Sequence, residues 1–249
     1  MSHEAAARAK SLVGRIAVVT GASSGIGRAI GMALSREGAH LCALGRNRRA
    51  LAETTAAARQ FSQATSFAVD LTVEEDLKPL LQHLEAAGRV DILIHCAGII
   101  HQDPMQRACI EDLDLQYAIN VRAPYLLTQR LLPLLTAARG QVVFINSSAG
   151  RTAKRPEVGQ YAATKHALRA IADSLREELN PKGIRVLSVY LGRTATQMQE
   201  ALCREEGKVY QPEMLLQPED VASVVVHALT LACTAEVTDI SIRPMQKSC

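Results

Sequence analysis

Short apolar runs that favour β-strands alternate along this chain with longer segments of helical periodicity. The first run, Ile16–Thr20, is followed by a Gly-rich turn and then by an amphipathic pattern over 24–37. Further strand-like runs occupy 40–44, 66–69, 91–95, 141–146, 184–190 and 239–242. Strands joined in succession by helices form a parallel sheet with right-handed crossovers, because each helix must pack back onto the sheet. The pattern therefore predicts an α/β fold, a doubly wound parallel sheet of about seven strands flanked by helices.

The segments between these runs indicate the helices and the domain organisation. Helical patterns cover 48–61, 73–87, 112–137, 160–179 and 219–231. Pro124 and Pro133 are expected to kink the helix predicted over 112–137. No composition break or linker divides the chain, so residues 1–249 are predicted to form a single domain. The segment 192–218 is long for a connection and is interpreted as an irregular substrate loop.

Composition and charge argue against several classes of protein. The net charge of +3 over 249 residues, with 3% aromatic residues and no Trp, argues against a nucleic-acid partner. No run approaches the roughly 18 apolar residues of a membrane span, so no membrane association is predicted. Residues 1–10 lack the apolar core of a signal peptide. The six cysteines show no metal-site spacing, so no metal is predicted and a reduced, cytoplasmic location is expected; Cys203, Cys233 and Cys249 have no assigned role.

The Gly-rich turn Thr20-Gly21-Ala22-Ser23-Ser24-Gly25-Ile26-Gly27 joins the first predicted strand to the first predicted helix. Backbone N–H groups at a helix N-terminus bind phosphate, and glycines allow the backbone to approach a pyrophosphate closely. A plain Gly-rich turn is the alternative, but the strand before it and the helix after it favour a dinucleotide site. The cofactor contacts predicted within this turn are Gly21, Ser23, Ser24, Gly25, Ile26 and Gly27.

The Thr-Gly-x3-Gly-Ile-Gly form of this turn resembles the short-chain dehydrogenase/reductase family, in its single-domain branch. The similarity runs from about residue 14 to residue 242. It implies a Rossmann-like fold, a nicotinamide cofactor and an oxidoreductase that interconverts a carbonyl compound and an alcohol, as carbonyl reductases do.

The catalytic part of the resemblance falls on Asn120, Ser148, Tyr161 and Lys165. Tyr161 and Lys165 lie four residues apart, so they share one face of a predicted helix. The resemblance implies that Tyr161 is the acid/base and that Lys165 also binds the nicotinamide ribose. It implies that Ser148 orients the substrate and that Asn120 positions a water in a proton relay. Ser147 is the rival to Ser148 and is interpreted as structural, because the family spacing selects the second serine.

To act as the acid/base, Tyr161 must exchange a proton near neutral pH, whereas a free Tyr side chain has a pKa of about 10. The ammonium of Lys165 and an oxidised nicotinamide are both positive. We therefore expect both of them to lower the pKa of Tyr161.

The turn after the fourth predicted strand departs from the family pattern. His95-Cys96-Ala97-Gly98 stands where the family has Asn-Asn-Ala-Gly, so both asparagines are replaced. The resemblance still implies that Cys96, Ala97 and Gly98 lie beside the cofactor. His95 is interpreted as a buried core residue and Cys96 as a small residue without a nucleophilic role.

Three further cofactor contacts are implied by the resemblance. Asp70 and Leu71, after the third predicted strand, match a position that touches adenine. Thr196 matches the Thr of a Pro-Gly-x-x-x-Thr motif in which Leu191 replaces the Pro. Thr196 is expected to reach the cofactor, and a helix N-cap role is compatible with that contact.

The end of the second predicted strand indicates which cofactor is used. An NAD-dependent enzyme has an acidic side chain there, which accepts hydrogen bonds from the ribose 2′-hydroxyl. Here the position holds Gly45, followed by Arg46, whose guanidinium can pair with a 2′-phosphate. NADP(H) is therefore the predicted cofactor, with Arg46 and Asn47 among its contacts. Arg48 and Arg49 also suit the solvated first turn of a helix.

These features together predict an NADP(H)-dependent oxidoreductase acting on a small-molecule ketone, aldehyde or alcohol. The alternative is a non-catalytic NADPH-binding regulator or scaffold. A sugar-nucleotide epimerase of the extended branch is disfavoured, because the chain after Tyr190 is too short for a substrate domain. A homo-oligomer, either a tetramer or a dimer, is also predicted. The helices predicted over 112–137 and 160–179 carry apolar faces that another chain could cover.

Overall fold

A computed structural model describes residues 10–246 of the chain. Residues 1–9, part of the stretch interpreted as lacking a signal peptide, and the unassigned Cys249 lie outside these described residues. Seven parallel strands form one sheet. In chain order they are β1 (Ile16–Thr20), β2 (His40–Gly45), β3 (Ala64–Ala68), β4 (Ile92–His95), β5 (Gln141–Ser147), β6 (Arg185–Leu191) and β7 (Asp239–Ile242). Their order across the sheet is β3-β2-β1-β4-β5-β6-β7, which confirms the predicted doubly wound sheet. The winding reverses between β1 and β4, where sheets of this kind bind ligands.

Eight α-helices accompany the strands within residues 10–246. They are α1 (Gly25–Arg36), α2 (Arg48–Ala58), α3 (Lys78–Ala87), α4 (Ile110–Tyr117), α5 (Ala123–Ala138), α6 (Gly159–Leu179), α7 (Gln197–Glu205) and α8 (Pro218–Leu229). Short 3₁₀ turns occupy Glu74–Leu77, Ser148–Gly150, Asn180–Lys182 and Pro212–Met214. Over the same residues, none of the helices combines the length and the apolar character needed to cross a bilayer.

The helices cover both faces of the sheet with separate apolar cores. One core joins α1, α2 and α8 to the sheet, and the other joins α3, α5 and α6 to its opposite face. Adjacent residues of β1 alternate between them: Val18 belongs to the second core and Val19 to the first. Because both faces of the strands are buried, they read as continuous apolar runs in the sequence.

The helix predicted over 112–137 is interrupted by a π-helical turn at Ala118–Arg122. Pro124 closely follows this turn, in the first turn of α5, and Pro133 lies inside α5. The π turn ends α4 and begins α5, and it contains Asn120. Such turns are frequent at functional sites.

The interpretation of the segment 192–218 as irregular is wrong, because this segment contains α7 and a 3₁₀ turn. Its two ends are held together beside the end of β6. Thr194 and Leu216 form an isolated parallel bridge. The amide of Ala195 donates to the carbonyl of Leu216 at 2.8 Å, and the amide of Leu216 donates to the carbonyl of Arg193 at 3.2 Å. The segment therefore forms a closed loop over the edge of the sheet.

Candidate active site

Two adjoining cavities open at the carboxyl ends of the strands, one of about 340 Å³ and one of about 260 Å³. The residues that line both are Ile26, Cys96, Gly98, Ile99, Thr196 and Met198. The smaller cavity is lined by these predicted cofactor contacts: Gly21, Ser23, Ser24, Gly25, Ile26, Gly27, Arg46, Asp70, Leu71, Cys96, Ala97, Gly98 and Thr196. Tyr161, Lys165 and Ser148 line the larger cavity, whereas Asn47 and Asn120 line neither.

The turn between β1 and α1 is built so that the backbone itself forms the wall of the smaller cavity. Gly21 has φ 69°, a left-handed conformation that favours glycine. A Cβ on Gly27 would lie 2.3 Å from the carbonyl oxygen of Gly21, so only glycine fits there. Ser24 precedes α1 and its side chain makes no cap hydrogen bond, so it does not occupy the first N–H groups of the helix. A pyrophosphate fits this cradle, because those N–H groups and the helix dipole favour an anion.

Thr196 and Gly25 connect this cradle to the segment 192–218. The hydroxyl of Thr196 accepts a hydrogen bond from the amide of Gln199 at 3.2 Å and so caps α7. A Cβ on Gly25 would lie 3.1 Å from the methyl carbon of Thr196. Thr196 is therefore both the N-cap of α7 and part of the cavity wall.

The end of β2 places Gly45 and Arg46 on the wall of the smaller cavity. Asp70 accepts hydrogen bonds from the amide and the hydroxyl of Thr72 at 2.9 and 2.7 Å. These bonds, and then the charge of Arg46, hold the pKa of Asp70 below its usual value. Asn47 is committed elsewhere, because its side chain accepts from the amide of Ala50 and caps α2.

Tyr161 and Lys165 lie one turn apart on α6 and both face the larger cavity. The ammonium nitrogen of Lys165 lies 5.7 Å from the ring centroid of Tyr161 and donates to the carbonyl of Ile145 at 3.3 Å. The side-chain amide of Asn146 donates to the carbonyl of Lys165 at 3.1 Å. These bonds fix α6 against the end of β5.

Tyr161 has Ser147, the residue before Ser148, as a side-chain hydrogen-bond partner. Ser147 ends β5 and is half-buried, and it forms a side-chain hydrogen bond with Tyr161. Its hydroxyl also accepts from the amide of Ala149 at 3.2 Å, which orients it. Ser148 begins a 3₁₀ turn and is exposed, although it lines the same cavity. Ser147, interpreted from the sequence as structural, is therefore a second candidate beside Ser148 for the serine that acts with Tyr161.

Burial dominates the titration of both groups on α6. It raises the pKa of Tyr161 to about 12, against the hydrogen bond of Ser147. It lowers the pKa of Lys165 to about 8, with the Cys96 thiol acting in the opposite direction. The residues of the chain alone therefore do not lower the pKa of Tyr161 as expected, because desolvation of the phenolate outweighs the hydrogen bond of Ser147. Tyr161 is a neutral phenol near pH 7, the form that donates a proton.

Asn120 is buried in the π turn between α4 and α5. Its Oδ1 accepts from the amide of Ile99 at 2.9 Å, and its Nδ2 donates to the carbonyl of Ile99 at 2.9 Å. Nδ2 also donates to the hydroxyl of Thr164 at 3.1 Å. Asn120 thus joins the segment after β4 to α6, beside the catalytic candidates, without itself reaching the cavity.

His95 is a satisfied core residue, as the sequence predicted. Its Nε2 lies 2.8 Å from the hydroxyl of Thr128, and its ring stacks on Phe144 with centroids 4.9 Å apart. Burial lowers the pKa of His95 to about 3, so it is neutral. Burial raises the pKa of Cys96 to about 12, opposed by the charge of Lys165, which argues against a thiolate nucleophile.

The outer wall of the larger cavity holds polar groups, of which Gln102, Arg155 and Glu206 were not identified from the sequence. Nε2 of Gln102 is buried and has no hydrogen-bond partner within the described part of the chain. Arg155 and Arg193 line the same cavity, and Glu206 binds them at 2.6 and 3.1 Å. Glu206 also binds Lys208 at 2.8 Å. Burial raises the pKa of Glu206, but these cations outweigh it and hold the pKa at about 2.

Comparison with known proteins matches the chain to one family over most of its length. The family model described as short chain dehydrogenase matches residues 15–207. An uncharacterized oxidoreductase of Staphylococcus epidermidis is 32% identical over 233 residues, which cover 93% of this chain and 97% of that protein.

Solved structures show the same fold. A metagenomic short-chain oxidoreductase in complex with NADP superposes with a TM-score of 0.80 at 30% identity, covering 95% of this chain and 100% of that one. A short chain dehydrogenase from Shigella flexneri, complexed with NADP, has a TM-score of 0.83 at 30% identity, covering 94% and 99%.

Proposed function

Because the chain belongs to the short-chain dehydrogenase family of oxidoreductases, we propose that it transfers a hydride between NADP(H) and a carbonyl compound. The reaction interconverts a ketone or aldehyde and an alcohol. The observation that carries the proposal is the meeting of the two cavities at Cys96 and Gly98, with Tyr161 and Lys165 on the wall of the larger one. A dinucleotide in the smaller cavity and a substrate in the larger one then adjoin at the phenol.

Tyr161 supplies the proton in the reducing direction. When bound, NADPH supplies the hydride. The carbonyl oxygen becomes negative as the hydride arrives, and the phenol of Tyr161 gives it a proton. Ser147, already hydrogen-bonded to Tyr161, donates to the same oxygen and orients it. In this proposal, the catalytic serine is therefore Ser147 instead of Ser148.

Lys165 and Asn120 have supporting roles in this proposal. The ammonium of Lys165 lies beneath the ring of Tyr161, where its charge favours the phenolate left after proton transfer. Lys165 also donates to the cofactor ribose. Asn120 is a positioning residue, since its amide holds Ile99 and Thr164. The relay water assigned to it stays a prediction.

NADP(H) is proposed over NAD(H) because of the end of β2. Gly45 carries no acid to repel a 2′-phosphate, and Arg46 lines the cavity with its positive charge. An Arg–phosphate pair is charge-assisted and often bidentate. Both solved structures described above are complexes with NADP, which supports the same choice.

The substrate is proposed to be a small carbonyl compound with a second polar group. The buried N–H of Gln102 lacks an acceptor, and a buried donor without a partner is costly. A substrate oxygen beyond the reacting carbonyl satisfies it. Arg155 and Arg193 form the outer part of the same cavity.

A panel of carbonyl compounds with NADPH, and of alcohols with NADP⁺, tests the activity. Turnover by the native chain that is lost in Tyr161→Phe supports the proposal. The alternative, a non-catalytic NADPH-binding regulator or scaffold, predicts tight NADPH binding without turnover on the whole panel. That result would overturn the enzymatic proposal.

The assembly is proposed to be a homo-oligomer. Exposed apolar side chains lie along α4 and α5: Ile110 is 63% exposed, Tyr117 52% and Tyr125 56%. Such a row of apolar groups on a surface favours burial against another chain. The cytoplasmic location stays a prediction from the cysteine pattern.

A further inference from the structure

Two imidazoles and a thiol meet at the amino end of β2, at the opposite end of that strand from Gly45. His40 and Cys42 are two residues apart on β2, so their side chains leave the same face of the sheet. His83 comes from α3, whose neighbouring leucines share an apolar core with Cys42. One ligand atom from each of the three residues lies within 4.8 Å of those of the other two.

The surroundings restrain these side chains without closing the site. The rings of His40 and His83 meet edge to face, with centroids 5.8 Å apart, and Phe67 packs on His83 at 5.4 Å. The hydroxyl of Thr65 lies 3.4 Å from Nε2 of His40. Cys42 is buried, whereas both histidines are half-buried, so an ion reaches the thiol past the two rings.

We propose that His40, Cys42 and His83 bind a divalent transition-metal ion, with Zn²⁺ as the best fit. Zinc bonds of about 2.0–2.3 Å place tetrahedral ligand atoms roughly 3.3–3.8 Å apart, so side-chain rotations that move them by about 1 Å complete the site. Thiolate and imidazole ligands select zinc or copper over magnesium and calcium, which prefer oxygen. With three protein ligands, a water completes the tetrahedron.

Proton balance is part of this binding. The metal–sulfur bond forms as the thiol of Cys42 loses its proton to solvent. Burial raises the pKa of Cys42 to about 12, so the ion displaces the proton instead of meeting a preformed thiolate.

The role of the site is structural, because it joins α3 to β2 away from the two cavities. None of its three ligands lines either cavity. Because α3 and β2 hold the ion together only in the native state, binding stabilises that state by mass action. A metal concentration about 100-fold above Kd is expected to raise Tm by about 5–10 °C.

Cobalt titration of the untagged, chelator-treated chain tests the proposal. One Co²⁺ per chain is expected, with the near-ultraviolet charge-transfer band of a cobalt–thiolate bond and the visible bands of tetrahedral cobalt. Zn²⁺ should displace Co²⁺, and native mass spectrometry should count one Zn²⁺ per chain. Absence of the charge-transfer band at millimolar Co²⁺ would overturn the proposal.

Matched variants separate this site from adventitious binding. Cys42→Ser should lose the charge-transfer band, and His83→Ala, at a half-buried position, should lose both the band and the Tm shift. The double variant Cys109→Ser/Cys233→Ser, which removes two exposed thiols, should keep both. A band that persists in His83→Ala, or disappears with the exposed thiols, would rule the site out. Unchanged metal-free Tm in His83→Ala excludes misfolding as the cause.

Discussion

The hydroxyl of Ser147 is hydrogen-bonded to the phenol of Tyr161, although Ser148 stands beside it and faces the same cavity. The difference arises at the end of β5. Ser147 is still in the strand, and its hydroxyl is oriented by the amide of Ala149, whereas Ser148 has entered the 3₁₀ turn and is exposed.

This contact predicts unequal effects of two neighbouring substitutions. Ser147→Ala should lower kcat/KM by about 100- to 1,000-fold, the usual cost of removing a donor to a developing oxyanion. Ser148→Ala should stay within a few-fold of the parent. Steady-state kinetics with the best carbonyl substrate and NADPH decide between them. A larger loss in Ser148→Ala would return the orienting role to that residue.

Removal of the proton donor should separate chemistry from cofactor binding. Tyr161→Phe keeps the ring that packs over Lys165 but removes the hydroxyl, so NADPH affinity should be nearly intact. Turnover should fall by about 100- to 10,000-fold, the range of general acid catalysis. Stopped-flow turnover and fluorescence titration of NADPH measure the two quantities. Turnover within a few-fold of the parent would contradict the mechanism.

The cofactor preference is expected to depend on Arg46. Arg46→Ala should lower kcat/KM for NADPH about tenfold or more and leave that for NADH unchanged, because a charged hydrogen-bond pair contributes about 1.5–3 kcal/mol. Arg49→Ala is the matched control, since Arg49 is 91% exposed and pairs with Glu53. Equal kcat/KM for NADPH and NADH in the parent would refute the assignment.

Buried His95 should make stability depend on pH in the weakly acidic range. Burial lowers the pKa of His95 to about 3 from 6.5, so below pH 6.5 the unfolded chain binds a proton that the native chain does not. The free energy of unfolding therefore falls as pH drops, approaching about 1.4 kcal/mol per pH unit, and this loss ends near the folded-state pKa. Urea unfolding between about pH 7 and about pH 5 measures the slope.

His95→Asn provides the comparison for that slope, because an amide does not titrate. The other histidines are common to both proteins and cancel in the difference. An identical slope in the two proteins would show that folding does not shift the pKa of His95.

The apolar row on α4 and α5 predicts the behaviour of the chain in solution. Light scattering at micromolar concentration should give a mass of two or four chains. Tyr117→Glu/Tyr125→Glu should reduce that mass, because it places charges at the interface. A parent chain that elutes as a stable 26.9 kDa species would contradict the proposal.

The parts of the fold that sequence predicts well are those fixed by local physical constraints. Val18 and Val19 are buried on opposite faces of β1, so the strand appears as an unbroken apolar run. A side chain at Gly27 would collide with the carbonyl oxygen of Gly21, so the position must be glycine and the phosphate cradle can be predicted from the sequence. The π turn around Asn120 was missed, because side-chain periodicity does not distinguish one extra residue in a turn from a proline kink.

The part of the site that sequence predicts poorly depends on irregular backbone. The two serines are separated from Tyr161 by an irregular segment over 149–158, in which Glu157 has a left-handed backbone with φ 69°. Sequence distance does not fix which hydroxyl then faces the phenol. Gln102 and Glu206 gave no signal, since each acts only through neighbours brought together from other segments.

The bridge between Thr194 and Leu216 makes the segment over the larger cavity an exchangeable module. Its ends are fixed to each other, so the sheet does not depend on the part of the segment that follows Thr196 and Met198 on the cavity wall. The entropy of closing such a loop grows only with the logarithm of its length, about 0.6 kcal/mol for each doubling. Insertions and replacements there therefore lower the free energy of unfolding only slightly. Relatives of this chain are free to diverge in substrate while they retain one scaffold and one cofactor cradle.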